Sequence, residues 1–289
     1  MSRLDKTRHV YELLLEFYSR NFLYAGVNEE LAYNLINLVW EHTFEADSVQ
    51  TIKKIFKEAK KQCKNKVVEE DFLNAFHQNF LKVERFLDVG ANRLDLLKTL
   101  GENYENIENL YAIDTKEKSE ITLPNNKSFY FKVDNYSQNL PEELSNIDFI
   151  NIQFVLHHFP DDSSIIRLLN WCYRILEKDG IVVLWEESFE KKWNKNLNFP
   201  VKVFTDENLT EKFYRLNTSE KFAFIQINDW LINFSNSHLQ WTSNYKMWYD
   251  WVKIFASVGF QLEDYWNLGL RVNGKLKQGV HIIGMFKKK

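Results

Sequence analysis

Arg85-Phe86-Leu87-Asp88-Val89-Gly90-Ala91-Asn92 is the stretch on which the fold turns. Apolar residues lead to a carboxylate and then a glycine, and a helical pattern follows from Leu94 to Leu100. This predicts a buried strand that bends sharply into a helix. Glycine at the bend lets backbone approach a ligand where a side chain would block it. A second apolar run, Asn109-Leu110-Tyr111-Ala112-Ile113-Asp114, ends in a carboxylate 24 residues beyond Gly90. An acid at that offset suits hydrogen bonds from ribose hydroxyls. The two runs together predict a nucleoside-containing ligand at the top of an α/β sheet.

Outward from this centre, strand patterns fall at residues 85–89, 109–113, 128–132, 147–153 and 181–186, with helical patterns at 92–100 and 162–177. Strands alternating with helices predict a parallel sheet with crossover helices. Lys178-Asp179-Gly180 reads as a helix stop with glycine as the cap. A helix over about 244–257, a strand near 260–266 and a last strand over 280–286 close the chain, and Lys287-Lys288-Lys289 reads as a solubilising tail. Upstream, Val10, Leu13, Leu14 and Phe17 recur at helical spacing, as do Leu31, Leu35, Leu38 and Val39. Further helices are expected over 49–64 and around Phe72, Phe76 and Phe80. The expected organisation is a helical N-terminal cap region over 1–80 and an α/β domain over 81–289. The charged, Asn-rich and aromatic stretch 188–240 reads as an insertion after the fifth strand.

With 289 residues, 45% hydrophobic and 16% aromatic, the chain can bury a large core. A net charge of -3 gives no overall attraction to nucleic acid or to anionic membrane. Cys63 and Cys172 match no metal spacing and make at most one bridge, which fits a reducing, cytoplasmic setting. The N-terminal residues show no signal-peptide pattern, and no run of 18 apolar residues exists to span a bilayer.

A dinucleotide loop needs three glycines, because pyrophosphate lies against its backbone. Here Asn92 holds the second glycine position and the next glycine is Gly101. Gly-Lys-Ser/Thr, the core of a phosphate-binding loop, is absent. The order of motifs instead resembles the class I S-adenosylmethionine-dependent methyltransferases. Phe86-Leu-Asp-Val-Gly90 is similar to their first motif, and Ala112-Ile-Asp114 to the acid that ends their second strand. Val133-Asp134-Asn135-Tyr136 resembles the segment that meets adenine. Ile147 to Phe159, ending Leu156-His157-His158-Phe159, resembles the fourth-strand motif. Leu176 to Leu184 and Ser257-Val-Gly259-Phe260 resemble the entries to the fifth and sixth strands. The resemblance spans roughly 84–187 and 244–286. It implies a Rossmann-like doubly wound sheet with an antiparallel last strand, and S-adenosyl-L-methionine, which carries no phosphate, as cofactor. Methyl transfer to an O or N acceptor, most simply a small molecule, would follow.

The resemblance assigns Asp88, Gly90, Asp114, Thr115, Asp134, Asn135 and Gln153 to the cofactor. His157 is the first candidate for a base and Glu186 the second; a histidine at a strand end can take up a proton near neutral pH. On an extended chain, His157 and His158 would point opposite ways, so one of them at most would face the pocket. Each residue also has a structural reading: a tight turn for Gly90, loop satisfaction for Asp88, a solvated turn for Asp134 and Asn135. Trp230, Trp241, Trp248, Tyr249 and Trp251 read as core before they read as an acceptor pocket. The lysines between Lys53 and Lys66 read as a solvated helix face before an RNA-binding patch. Two other functions stay open. Gln153-Phe154-Val155-Leu156-His157 resembles the signature of RNA cap guanine-N7 methyltransferases, which would make RNA a partner. A loop with one glycine would also suit a fold that has lost catalysis and serves as a binding or regulatory subunit, with 1–80 or 188–240 as its protein-partner surface.

Overall fold

A computed structural model describes residues 8–24, 27–31, 34, 70–91, 94–115, 128–133, 139–194, 205–233, 244–272 and 279–289. The elements, in chain order, are α1 (Arg8–Tyr24), α2 (Glu70–Ala75), α3 (His77–Phe80), β1 (Arg85–Val89), α4 (Asp95–Asn103), β2 (Asn109–Asp114), β3 (Ser128–Lys132), β4 (Ile147–Gln153), α5 (Asp162–Ile175), β5 (Leu176–Glu187), α6 (Glu207–Arg215), α7 (Thr218–Asn233), α8 (Trp248–Val258), β6 (Phe260–Leu270) and β7 (Val280–Lys288).

The strands form one seven-stranded sheet in the order β3-β2-β1-β4-β5-β7-β6. β7 runs antiparallel to β5 and β6, and the other pairings are parallel. This is the Rossmann-like class I methyltransferase arrangement that the motif order implies. The central strands are apolar on both faces, as a sheet covered on both sides must be. Leu87, Ile150, Val182 and Leu184 pack on one face with α5 and α8, through Ile165, Leu168, Trp251 and Phe255. Phe86, Phe149, Val183 and Trp185 pack on the other with α2, α3 and α4, through Phe72, Phe76, Phe80 and Leu97. The Phe72–Phe76–Phe80 run is therefore part of the sheet's own core.

A third apolar cluster joins α1 (Val10, Leu13, Leu14, Phe17) to α6 and α7 (Phe213, Phe224, Ile225) and to Leu270, Val272 and Val280 at the ends of β6 and β7. Ser188 donates its N–H to Val280 O at 3.0 Å, so this helical layer lies beside the carboxyl end of β5. Lys212 bridges to Glu16 at 2.6 Å, and Arg20 pairs with Asp206.

Several boundaries move. The first crossover helix starts at Asp95, because Leu94 sits in the left-handed region at φ 63°. The helix predicted to Glu177 stops at Ile175, and β5 begins at once. Gly180 is no helix cap: a side chain there would meet Ile147 O and the Leu176 side chain, both at 2.9 Å, so the glycine permits strand packing. Lys287 and Lys288 belong to β7, where Lys287 reaches Glu263 at 2.9 Å and Lys288 bonds Leu176 O. The segment expected as an insertion contains two helices, the amphipathic α6 and the longer α7. The expected 49–64 helix, the lysines between Lys53 and Lys66, and Trp241 lie outside the described residues. No described helix is long and apolar enough to cross a membrane.

Candidate active site

Parallel strands direct their carboxyl ends to one edge of the sheet, where open α/β folds bind ligands. Asp88, near the end of β1, is buried and accepts a hydrogen bond from Asn151 Nδ2 at 2.8 Å. The two residues are register partners across β1 and β4, so adjacent strands build the contact. Asp114 ends β2 and is buried as well. Burial first, and the Asp114 charge second, push the Tyr130 hydroxyl on β3 up to about 12. Both carboxylates are thus turned away from bulk water.

Gly90 adopts φ 75° and donates its N–H to Ile113 O at 2.8 Å. A Cβ there would overlap the Val155 side chain. The glycine is required by the left-handed turn and by Val155, whatever else approaches it. Thr115 is exposed beside Asp114, and Gln153 is half-buried at the end of β4 opposite Trp185. Asp134 and Asn135 lie outside the described residues.

β4 leaves the sheet through Phe154, held at φ 54°, whose N–H bonds Trp185 O at 2.9 Å. The chain then makes a 3₁₀ turn over Leu156–His158. Expectation and structure differ here. The backbone is not extended, so the two histidines do not point apart, and their rings lie 4.1 Å between centroids. His157 is buried and half-buried His158 lies at its side. The His157 ring stacks on Tyr245 at 4.9 Å with 16° between the planes.

Alternation along β5 sends Glu186 to the same face as Val182 and Leu184, straight onto this turn. Glu186 Oε1 accepts from the N–H groups of Val155 (3.0 Å) and Leu156 (2.7 Å), and Oε2 meets His157 Nδ1 at 2.5 Å. Burial disfavours a charged ring, yet the carboxylate and hydrogen bond of Glu186, with Asp229 and Glu187, raise His157 to about 9. At neutral pH the His157 ring is therefore held as an imidazolium.

Glu187 points the other way, into a group of polar side chains that the sequence reading missed. Asn228 on α7 donates to Glu187 Oε1 at 2.8 Å, and Tyr18 on α1 donates to Asn228 Oδ1 at 2.7 Å. Asp229 accepts from Tyr245 and from Asn233, both at 2.5 Å. Burial, then the charge of Asp229, hold the Glu187 carboxyl well above the usual carboxylate range. The available signal was a polar pair, Asn228-Asp229, within the mostly apolar run 222–232, and Asn151 inside an apolar strand. Of the aromatic set, Trp248 and Trp251 are core, Tyr249 is exposed, and Trp230 packs on the helical layer.

Residues 87–184 match the family model of a methyltransferase domain. Among solved structures, the chain is similar to CalO1, a methyltransferase in calicheamicin biosynthesis in its SAH-bound form. The TM-score is 0.50 and the identity 12%, over 84% of this chain and 59% of that one. It is similar to LepI in complex with SAM, with a TM-score of 0.50 and 13% identity, over 98% of this chain and 64% of that one. The mitomycin 7-O-methyltransferase MmcR aligns with a TM-score of 0.47 and 11% identity, over 89% of this chain and 63% of that one. The chain thus spans about three-fifths of the length of these structures. No curated protein matches the sequence. The chain thus has the class I methyltransferase fold, and its residues 87–184 match a methyltransferase domain.

Proposed function

We propose that the protein is an S-adenosyl-L-methionine-dependent methyltransferase acting on a small molecule. One observation carries the reading: the buried His157–Glu186 pair stands at the same sheet edge as two buried carboxylates, Asp88 and Asp114. The donor chemistry fits the cofactor. Asp114 ends β2, where a carboxylate accepts from both ribose hydroxyls, with Thr115 beside it. Asp88, fixed by Asn151, supplies negative charge near the bend for the methionyl ammonium. Asp134 and Asn135 are assigned to adenine, and Gln153 to the sulfonium end. Gly90 keeps the bend narrow. The absence of further glycines is tolerable, because this ligand has no pyrophosphate to seat. When bound, the cofactor supplies an electrophilic methyl group.

The chain's own contribution is alignment and proton removal. The imidazolium must first give its Nε2 proton to solvent; Nδ1 then keeps its proton toward Glu186, and the freed Nε2 is the atom that accepts the acceptor's proton. Glu186 is a positioning residue: three hydrogen bonds hold it, so it orients His157 rather than meeting the acceptor. This narrows the expectation that either residue could be the base.

The small-molecule reading is favoured over RNA because the candidate base is enclosed by α7 and Tyr245 and ringed by carboxyl groups, which repel phosphate. It is favoured over a catalytically silent fold because a buried, charged His–Glu pair is costly unless used. The neighbours with a TM-score of 0.50, CalO1 and two structures of LepI, were solved with SAM or SAH. Calorimetry tests the proposal. S-adenosylhomocysteine should bind the wild type, and Asp114→Ala should abolish binding. His157→Ala should bind it with unchanged affinity and lose turnover. Absence of binding to the wild type at millimolar concentration would leave the silent-fold reading standing.

A further inference from the structure

Between the carboxyl end of β5 and the α1–α7 layer lies a group of buried polar side chains whose hydrogen bonds do not close. Glu187 Oε2 has no partner, although Oε1 is fixed by Asn228. Asn21 is 1% exposed, and neither its amide oxygen nor its amide nitrogen has a partner. Asn21 lies one turn beyond Tyr18 on α1, hence on the face that reaches Asn228. A buried polar atom left unpaired costs about 1–3 kcal/mol, so two such side chains on facing elements point to a missing guest. The position of Glu187 is fixed on its other side too. Gly279 faces it so closely that a Cβ there would overlap Glu187 and come within 2.9 Å of Asn228 Nδ2.

The charge around this gap is one-sided. Glu186, Glu187 and Asp229 all act electrostatically on His157 and on Tyr245. Among the described residues, the cations near this edge include His157, which Glu186 already engages, Arg271, whose guanidinium lies 5.2 Å from the Trp185 ring centre, and Lys246, which pairs with Asp162 at 2.7 Å. Burial and the charges of Arg271 and His157 hold His281, the strand partner of Glu187, well below its ordinary value. Aromatic faces complete the wall, with Tyr245 stacked against His157. Carboxyl groups beside aromatic rings recognise ammonium ions. They disfavour carboxylates and phosphates by like-charge repulsion.

We propose that this chamber seats the acceptor, and that it takes a small molecule bearing an ammonium group which Glu187 and Asp229 select. The inference rests on the methyltransferase reading. The ammonium is an anchor, and its placement does not require nitrogen to be the methylated atom. Three N–H donors suit the open acceptors, Glu187 Oε2 and Asn21 Oδ1. Binding a cation beside Glu187 also favours its ionised form, so the guest should displace a proton. A metal ion is the rival guest, because ligand atoms of His157, His158 and Asp229 lie within 4.8 Å of one another. The ammonium is preferred because the open polar atoms belong to Glu187 and Asn21; Asp229, whose two oxygens already accept hydrogen bonds, acts on the guest through its charge rather than as a ligand.

The test uses the full-length protein saturated with S-adenosylhomocysteine, whose own binding is measured first. Failure of that step sinks the methyltransferase reading, whereas the steps that follow judge the ammonium proposal alone. Phenethylamine, 2-phenylethanol and phenylacetate, alike in shape, are titrated by calorimetry. The amine should bind at least about tenfold more tightly than the alcohol or the acid, a gap of about 1.4 kcal/mol. Its binding should release protons, seen as a dependence of the heat on buffer ionisation. Glu187→Gln and Asp229→Asn, checked for folding by S-adenosylhomocysteine binding, should each erase the preference. Equal binding of the three probes, or no binding of any, overturns the proposal. So does stoichiometric capture of Zn²⁺ or Mg²⁺ that excludes the amine. If both variants misfold, the wild-type comparison of the three probes still decides.

Discussion

Replacing Glu186 by glutamine removes one charge, keeps the volume, and should disable His157 in two ways. His157 lies about 2.5 units above its ordinary 6.5, at about 9, against the pull of its own burial. At 1.36 kcal/mol per unit, the acids around it outweigh burial by about 3 kcal/mol in favour of the imidazolium. Glu186 is the largest of these favourable influences, and the ring is buried, so little of the interaction is lost to solvent screening. In the variant, the carbonyl oxygen can still accept from Val155 and Leu156, which leaves the NH₂ facing His157 Nδ1. The histidine should then be neutral at pH 7, with its proton on Nε2, the wrong atom for a base. A wrong tautomer in a comparable histidine–carboxylate arrangement costs on the order of 10⁴ in turnover. The sign for stability follows. A pKa raised in the folded state contributes stability that is full below about pH 6.5 and is lost as pH rises through about 9. Wild-type stability to urea should therefore fall between those values, and the fall should flatten in Glu186→Gln. Ring-resolved NMR titration, with His157→Ala to assign the signal, reads the pKa without any acceptor. A His157 signal still titrating near 9 in the variant, or turnover within about tenfold of wild type, would refute the assignment of Glu186.

Turnover of the wild type should climb with pH toward about 9 as His157 loses its proton, and a profile flat from pH 6 to 9 would remove it as the base. Gly90→Ala should cost about 2–4 kcal/mol in chemical denaturation, from the left-handed backbone and the overlap with Val155; Val155→Ala in the same chain should recover only the overlap share. Asp206→Ala should cost about 1–2 kcal/mol, since Asp206 caps α6 at Leu209 N and pairs with Arg20 on α1. S-adenosylhomocysteine affinity should be unchanged in that variant, because Asp206 lies in the helical layer and not at β1 or β2.

The sheet was legible because each central strand advertises burial on both faces. Residues 85–89 and 147–153 carry that signal, and their bounds, like those of the edge strand 128–132, agree with the structure. Boundaries failed where local conformation departs from propensity. Leu94 in the left-handed region delays α4, and a β5 that starts immediately after Ile175 takes residues that read as a helix end. Gly180 and the terminal lysines were read by local rules, as a cap and as a tail, when sheet packing was decisive.

The site divides along the same line. Asp88 and Asp114 stand at strand ends and His157 on the turn that follows one, and strand ends can be found from periodicity alone. The role of Glu186 depends on side-chain alternation in β5 and on the turn after β4, which together direct one of two adjacent acids at His157 and the other at Asn228. No pattern within Trp185-Glu186-Glu187 distinguishes the two. The division has a chemical consequence. One acid is held by three hydrogen bonds against the proposed base, whereas its neighbour is desolvated, raised and half-satisfied. In the proposed site the first orients the base and the second meets the guest, and it is the helical layer, through burial and the charge of Asp229, that sets Glu187 apart.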